Sequence, residues 1–340
     1  MALSERLKNL MKDKFKEDAK VVKLVPSLRG KTIIVYGSNS LGKTTQMCQL
    51  PNPIIFPLER IGDTAKGAMV LKVGKRGWND LLKHQNKLLS KDFLDLLQEE
   101  QITLIFDGID KIDTLAEAYV CAKFGAESIK SGNNNFGLYK ELSAELYNFF
   151  NPLLQQGYTV VGISHCKELK DGKITIKGSE RCIEYLRDSS DVIAYVESNG
   201  VDENGKLIPS SAYFFETEDY FARTRYKYMP QGIKEFTAEN LETTIVEAIK
   251  KEIEEDGVEV GTIEEVNSIY TSDADNMTYE EVMEEIKIMA KELQAEDNLD
   301  TFYDITDKHL GRDFDFLEAD RTQIEALIAI YDDLKALKED

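Results

Sequence analysis

One stretch constrains this chain more than any other. Gly37-Ser38-Asn39-Ser40-Leu41-Gly42-Lys43-Thr44-Thr45 follows the β-branched run Lys31-Thr32-Ile33-Ile34-Val35-Tyr36 and precedes a helical segment, Lys43 to Leu50, closed by Pro51 and Pro53. It matches the pattern G-x-x-x-x-G-K-[ST] at Gly37, Gly42, Lys43 and Thr44. Glycines at this spacing let backbone N–H groups turn toward phosphate oxygens. The lysine neutralises the β- and γ-phosphates, and the threonine hydroxyl suits Mg²⁺. A helix that starts at the same point adds its dipole to the anion site. The nine residues 37–45 are therefore expected to cradle the phosphates of a nucleoside triphosphate at a strand-to-helix turn.

The rest of the pattern supplies a setting for such a turn. Strands are predicted at 31–36, 54–56, 102–106, 158–163, 192–196 and 212–215, and helices at 3–18, 78–98, 112–124 and 138–155. The segment 167–180 is charged and glycine-spaced and reads as a loop or hairpin. Strands alternating with helices predict an α/β fold with a mostly parallel sheet covered on both faces. After about residue 236 the pattern changes to acidic helices, at 239–255, 278–295, 300–310 and 320–338. In these, Val282, Ile286, Met289 and Leu293, then Ile324, Leu327, Ile328 and Leu334, recur at helical spacing.

Three further positions and one basic cluster carry candidate chemistry. Asp107 ends the apolar strand 102–106, where a carboxylate beside the loop can hold Mg²⁺ together with Thr44. Asp110 and Asp113 are rivals placed to cap the next helix. Glu59 follows the strand 54–56 and can orient or deprotonate a water in line with the γ-phosphate. His165 follows the strand 158–163 and can respond to the γ-phosphate, against the plainer reading of a structural hydrogen-bonding histidine. Arg223, Arg225 and Lys227 alternate along one extended segment. Such a stripe can complete a neighbouring subunit's site as an arginine finger does, contact a nucleic-acid backbone, or simply be solvated. His84 and His309 receive no functional reading.

This order of parts resembles that of RecA-like ATPases, and among them bacteriophage ATP-binding AAA/RecA-core proteins of the single-strand-annealing recombinase type. The likeness spans about residues 25–235. It is borne by Val35 through Thr45, Phe56-Pro57-Leu58-Glu59, Leu104-Ile105-Phe106-Asp107, Phe136-Gly137, Gly162-Ile163-Ser164-His165 and Arg223-Thr224-Arg225-Tyr226-Lys227. It implies a RecA-like P-loop core that binds ATP and Mg²⁺, with Lys43, Glu59, His165, Arg225 and Lys227 as its catalytic set. It also implies action on single-stranded DNA, with ATP between the subunits of a ring or filament. Residues 125–137 and 167–182 then take the places of two DNA-binding loops. Their cations are Lys130, Lys167, Lys170, Lys173, Lys177 and Arg181, and Phe136 and Asn133 to Asn135 can meet bases. The core is shorter than that of RecA, and His165 stands where RecA has glutamine, so single-strand binding or annealing is expected rather than strand exchange.

Charge divides the chain. Residues 1–250 balance 34 basic against 34 acidic side chains, whereas residues 251–340 hold 8 against 28, the whole of the net charge of -20. Residues 1–50 carry 10 basic and 4 acidic. The expected organisation is an N-terminal helix (1–24), an ATPase core (25–250), a linker (251–277) and an acidic helical domain (278–340). This last domain is a candidate dock for a single-strand-binding or replication protein. No apolar run is long enough to span a membrane, and Cys48, Cys121, Cys166 and Cys182 fit neither a zinc site nor a redox pair. A cytoplasmic location, the host's if phage-encoded, is expected. The expected function is a DNA-stimulated ATPase of phage recombination, annealing or replication. The alternatives are a non-hydrolysing ATP-gated scaffold, or a kinase or motor on the same loop.

Overall fold

The computed structural model describes residues 5–15, 20–60, 65–74, 77–133, 136–178, 180–269, 277, 279–312, 314–320 and 323–339. Asn134 and Asn135, and the side chains of Phe15, Arg181 and Cys182, lie outside the described residues. The described residues form two compact units, 1–267 and 268–340.

The first unit is built on strands β1 (Thr32–Gly37), β2 (Pro53–Pro57), β3 (Met69–Val70), β4 (Thr103–Asp107), β5 (Thr159–Glu168), β6 (Ile174–Ile176), β7 (Val192–Glu197), β8 (Ser211–Tyr213), β9 (Arg223–Thr224) and β10 (Gly232–Ile233). They make one ten-stranded sheet of order β10-β8-β7-β1-β5-β4-β2-β3, with β6 paired to β5 and β9 to β7. The six strands from β7 to β3 are mutually parallel, so the mostly parallel α/β P-loop core read from the sequence is the fold observed. The antiparallel strands sit at the β7 side and in the β5–β6 hairpin.

Alternation along the strands divides the apolar residues between two cores. Ile34 and Tyr36 face one side, with Phe56, Phe106 and the helices α3 (Trp78–Leu88), α4 (Lys91–Glu99), α5 (Ile112–Lys123) and α6 (Tyr139–Gln155). Ile33 and Val35 face the other, with α2 (Lys43–Met47) and α8 (Ala238–Asp256), which contributes Leu241, Ile245 and Ile249. Central strands buried on both faces explain why they read as continuous apolar runs. The single helix expected over 78–98 is two, broken at Leu89 and Ser90. Helix α7 (Glu180–Ser189) was not expected from the sequence. Helix α1 spans Glu5–Phe15.

The expected linker 251–277 is corrected over its first part. Residues 251–256 finish α8. Leu24 then bridges Val260, Lys23 binds Glu265 at 2.6 Å, and α9 (Ile263–Asn267) donates the Asn267 amide to the Gln156 carbonyl at 2.8 Å. Residues 251–267 thus belong to the first unit, while 270–276 lie outside the described residues. The second unit holds α10 (Tyr279–Ala295), α11 (Leu299–Leu310) and α12 (Ile324–Glu339) around Val282, Ile286, Phe302, Leu327, Ile330 and Leu334. The amphipathic spacing read there is a packed core.

Candidate functional site

Register places the chemistry. Gly37 at the end of β1 pairs with His165 on β5, Asp107 at the end of β4 pairs with Ile163 on β5, and Pro57 at the end of β2 pairs with Asp107. Strands β1, β2 and β4 therefore stop along one edge, which β5 overruns to Glu168, and the loops that leave it converge. Ligands bind at such carboxyl edges in open α/β sheets.

The loop at 37–42 is shaped by close approach. A Cβ on Gly37 would lie 2.2 Å from the Val196 carbonyl oxygen of β7. Gly42, at φ 79°, starts α2 from the left-handed region that other residues enter at a cost. The Lys43 ammonium turns back over the loop and donates to the carbonyls of Gly37 at 3.1 Å and Ser38 at 2.5 Å. Burial holds this ammonium below the usual lysine range, against the pull of Cys166, Asp107 and Glu59. The Thr44 hydroxyl donates to Asp107 Oδ2 at 3.0 Å. Asp107 is buried, and burial raises its carboxyl above the usual range although the Thr44 bond opposes this. A buried carboxylate and a hydroxyl side by side are hard oxygen donors of the kind Mg²⁺ takes through one or two protein ligands. Thr44 and Asp107 fit that ion, whose charge would favour the ionised carboxylate.

Glu59 faces the same space. Lys111 donates to Glu59 Oε2 at 2.5 Å, and His165 Nε2 lies 3.3 Å from the same carboxylate. Burial alone would raise the Glu59 carboxyl. The Lys111 and His165 bonds together outweigh it and hold the group below the ordinary glutamate range. These residues and the loop line a cleft of about 500 Å³ that also contains Arg60. The structure thus brings Gly37 to Thr45, Glu59, Asp107 and His165 together.

It does not bring Arg225 and Lys227 to this cleft. Strand β9 pairs with Val192 and Ile193 at the start of β7, whereas Gly37 pairs with Val196. At about 3.3 Å per residue, that is about 13 Å along the strand, at the opposite edge of the sheet. There Arg225 donates to the Asp188 carbonyl at 2.5 Å and lies 3.7 Å from Asp191, while Lys227 binds Asp256 at 2.8 Å. Within one chain they are structural partners of α7, β7 and α8. Asp110 does not cap α5, whose N-cap is Lys111. Its side chain is 2% exposed and lies 3.5 Å from Lys177. Lys111 and Arg60 are the residues that sequence reasoning missed. The only signal was a basic residue four positions after Asp107 and another directly after Glu59.

The two expected loops differ in form. Phe136 is 85% exposed and Lys130 is exposed, as a stacking and backbone-tracking pair needs. In the second segment β5 and β6 form a hairpin, with Lys173 on Glu216 at 2.5 Å and Lys177 beside Asp110. Cys48, Cys121 and Cys166 are free thiols. Among the described residues no helix is long and apolar enough to cross a membrane.

A phosphate loop at the end of one parallel strand, with a buried aspartate two strands away, defines a P-loop nucleotide-binding protein. Within that class the chain belongs to the AAA-domain family, whose profile matches residues 29–226. Over 310 residues it is 38% identical to the SPbeta prophage-derived uncharacterized protein YorG of Bacillus subtilis (strain 168), which covers 91% of this chain and 94% of that protein. Among solved structures it is similar to the KaiC-like protein PH0186 of Pyrococcus horikoshii OT3. That match has 12% identity and a TM-score of 0.32, and covers 57% of this chain and 88% of that one.

Proposed function

We propose that this protein binds and hydrolyses ATP with Mg²⁺ and that it works on single-stranded DNA, as a homo-oligomer, in phage-type recombination, annealing or replication. The observation that carries the hydrolytic part is the common cleft holding Lys43, the Thr44–Asp107 pair at 3.0 Å and Glu59. Lys43 would exchange the Gly37 and Ser38 carbonyls for phosphate oxygens. Thr44 and Asp107 would hold Mg²⁺, which supplies charge neutralisation at the phosphates. Glu59, ionised in the fold, takes the proton of a water whose oxygen bonds to the γ-phosphorus as the bond to the β-phosphate bridge breaks. The prophage-derived relative and the exposed Phe136 and Lys130 support the DNA part. The test is ATP turnover by the full chain with and without single-stranded DNA. DNA-stimulated turnover that Glu59→Gln abolishes is the expected result. Tight ATP binding with no turnover under either condition would instead favour an ATP-gated scaffold.

A further inference from the structure

The turn that follows Asp107 has two charged faces, and they point to different places. Residues Ile109–Lys111 form one turn of 3₁₀-helix. On one face, Lys111 donates to Glu59 Oε2 at 2.5 Å. On the other, Asp110 is 2% exposed. Its Oδ1 has no hydrogen-bond partner among the described residues, and its Oδ2 lies 3.5 Å from Lys177 Nζ. Lys177 closes the β5–β6 hairpin and is fixed by its own backbone. Its N–H donates to the His165 carbonyl at 2.9 Å, and its carbonyl accepts from the Ser164 hydroxyl at 3.0 Å.

A buried carboxylate without a cation is costly, and removing its one partner leaves that cost uncompensated. Lys177 is the cation paired with Asp110 at 3.5 Å, and Lys111 and Lys43 also lie in its field. The same turn fixes where the neighbouring Lys111 starts. Lys111 in turn holds Oε2 of the Glu59 carboxylate, while His165 Nε2 stands 3.3 Å from Oε1, so the carboxylate is oriented from two sides. Sequence gives no hint of this path, because Glu59, Asp110 and Lys177 lie far apart in the chain. Lys111 is 45% exposed, so its ion pair with Glu59 adds little to stability. Its value is directional.

We infer that Lys111 and Asp110 are positioning residues for Glu59: Lys177 of the β5–β6 hairpin anchors Asp110, and the Asp110–Lys111 turn sets the Glu59 carboxylate in the cleft. This rests on the hydrolytic reading above. The link runs from a hairpin, through a buried charge, to the proposed base.

The test is steady-state ATP hydrolysis by the full chain, with binding of a fluorescent ATP analogue and a thermal melt for each variant. Lys111→Ala should lower kcat by about tenfold to a hundredfold, the scale of a misplaced group, with analogue affinity within about twofold of wild type. Lys111→Arg should restore most of the loss, which a merely space-filling role would not require. Lys177→Ala should lower kcat with unchanged affinity, and should add nothing in the Lys111→Ala background, since both act through one turn. A Lys111→Ala enzyme with wild-type kcat overturns the inference, and so do Lys177→Ala and Lys111→Ala effects that multiply in full. A wild-type chain that binds the analogue but never turns ATP over overturns the hydrolytic reading itself. Hydrolysis by wild type that is indifferent to Lys111 sinks only the positioning role.

Discussion

At the residue scale, the site places function against stability. Asp107 is 3% exposed, and burial raises its carboxyl. A group whose folded value is raised stabilises the fold below its unfolded value, and that stability is lost as pH rises through the folded value. At neutral pH the ionised Asp107 therefore works against folding. Asp107→Asn keeps an acceptor for the Thr44 hydroxyl and removes the buried charge. It should raise the melting temperature of the nucleotide-free protein at pH 7 while abolishing Mg²⁺-dependent turnover. Calorimetry of both forms from pH 5 to 8 checks it, and a lower melting temperature for the Asn variant would count against the buried-charge argument. Glu59 has the opposite sign. Its lowered value means that its ion pair stabilises above the unfolded value and is lost as pH falls through the folded one. Glu59→Gln should retain nucleotide binding and lose about 10²–10⁴ in kcat, the range of general base catalysis.

At the element scale, strand ends act as a positioning device, and two substitutions probe it. Gly37→Ala would place a methyl 2.2 Å from a backbone carbonyl of β7, which cannot move without breaking the β1–β7 ladder. The variant should lower the melting temperature and weaken nucleotide binding together, as thermal denaturation and analogue titration would show. Phe106 precedes Asp107 and stacks on Phe56 at 4.5 Å, with Phe149 and Phe150 edge-on at 5.9 and 5.3 Å. Phe106→Ala should cost about 3–5 kcal/mol of stability, measured by denaturant unfolding. The strong elements were legible because their periodicity was clean. The short strands β3, β6, β9 and β10 were not, because two or three residues carry no period of their own. Their pairing is decided by the long strands that they join. The break at Leu89 and Ser90 was hidden by the continuous leucine pattern around it.

At the scale of the whole molecule, charge follows the two units. Residues 268–340 hold 21 acidic side chains against 7 basic. We propose that this acidic unit weakens single-strand binding by the chain, its negative charge in competition with that of the DNA. Such charge is felt within a Debye length, about 8 Å at physiological salt. Because 257–267 is bound to the first unit through Lys23, Leu24 and Gln156, the informative truncation falls after Asn267. Removing 268–340 should tighten single-strand binding, most at low salt, and leave ATP binding unchanged. Equal affinities and equal salt slopes for the two forms would refute the competition. Arg225 and Lys227 are tested at this scale too. If a neighbour's basic stripe completes each site, mixing Lys43→Ala with Arg225→Ala subunits should restore part of the turnover that neither shows alone. If these residues only tie β9 to α7 and α8, Arg225→Ala should lower the melting temperature, and mixing should recover nothing.

The sequence by itself determined the nucleotide loop, the alternation that makes a parallel sheet, and the helical character of the acidic end. Each of these is a local pattern, set by glycine spacing or by a period of two or 3.6 residues. It also placed Asp107 and Glu59 at or just past strand ends, since each directly follows or closes an apolar run. His165, expected just past a strand ending at 163, lies instead inside β5, which pairing with β6 prolongs to Glu168. Tertiary structure alone decided what those residues meet. Strand order puts β5 between β1 and β4, so His165 comes within 3.3 Å of Glu59 across 106 positions of sequence. The antiparallel pairing of β9 carries Arg225 to the far edge. A single 3₁₀ turn sends Lys111 and Asp110 to opposite neighbours. Such pairings depend on register and strand order, which are fixed by the packing of the whole sheet and leave no mark on the residues that they join.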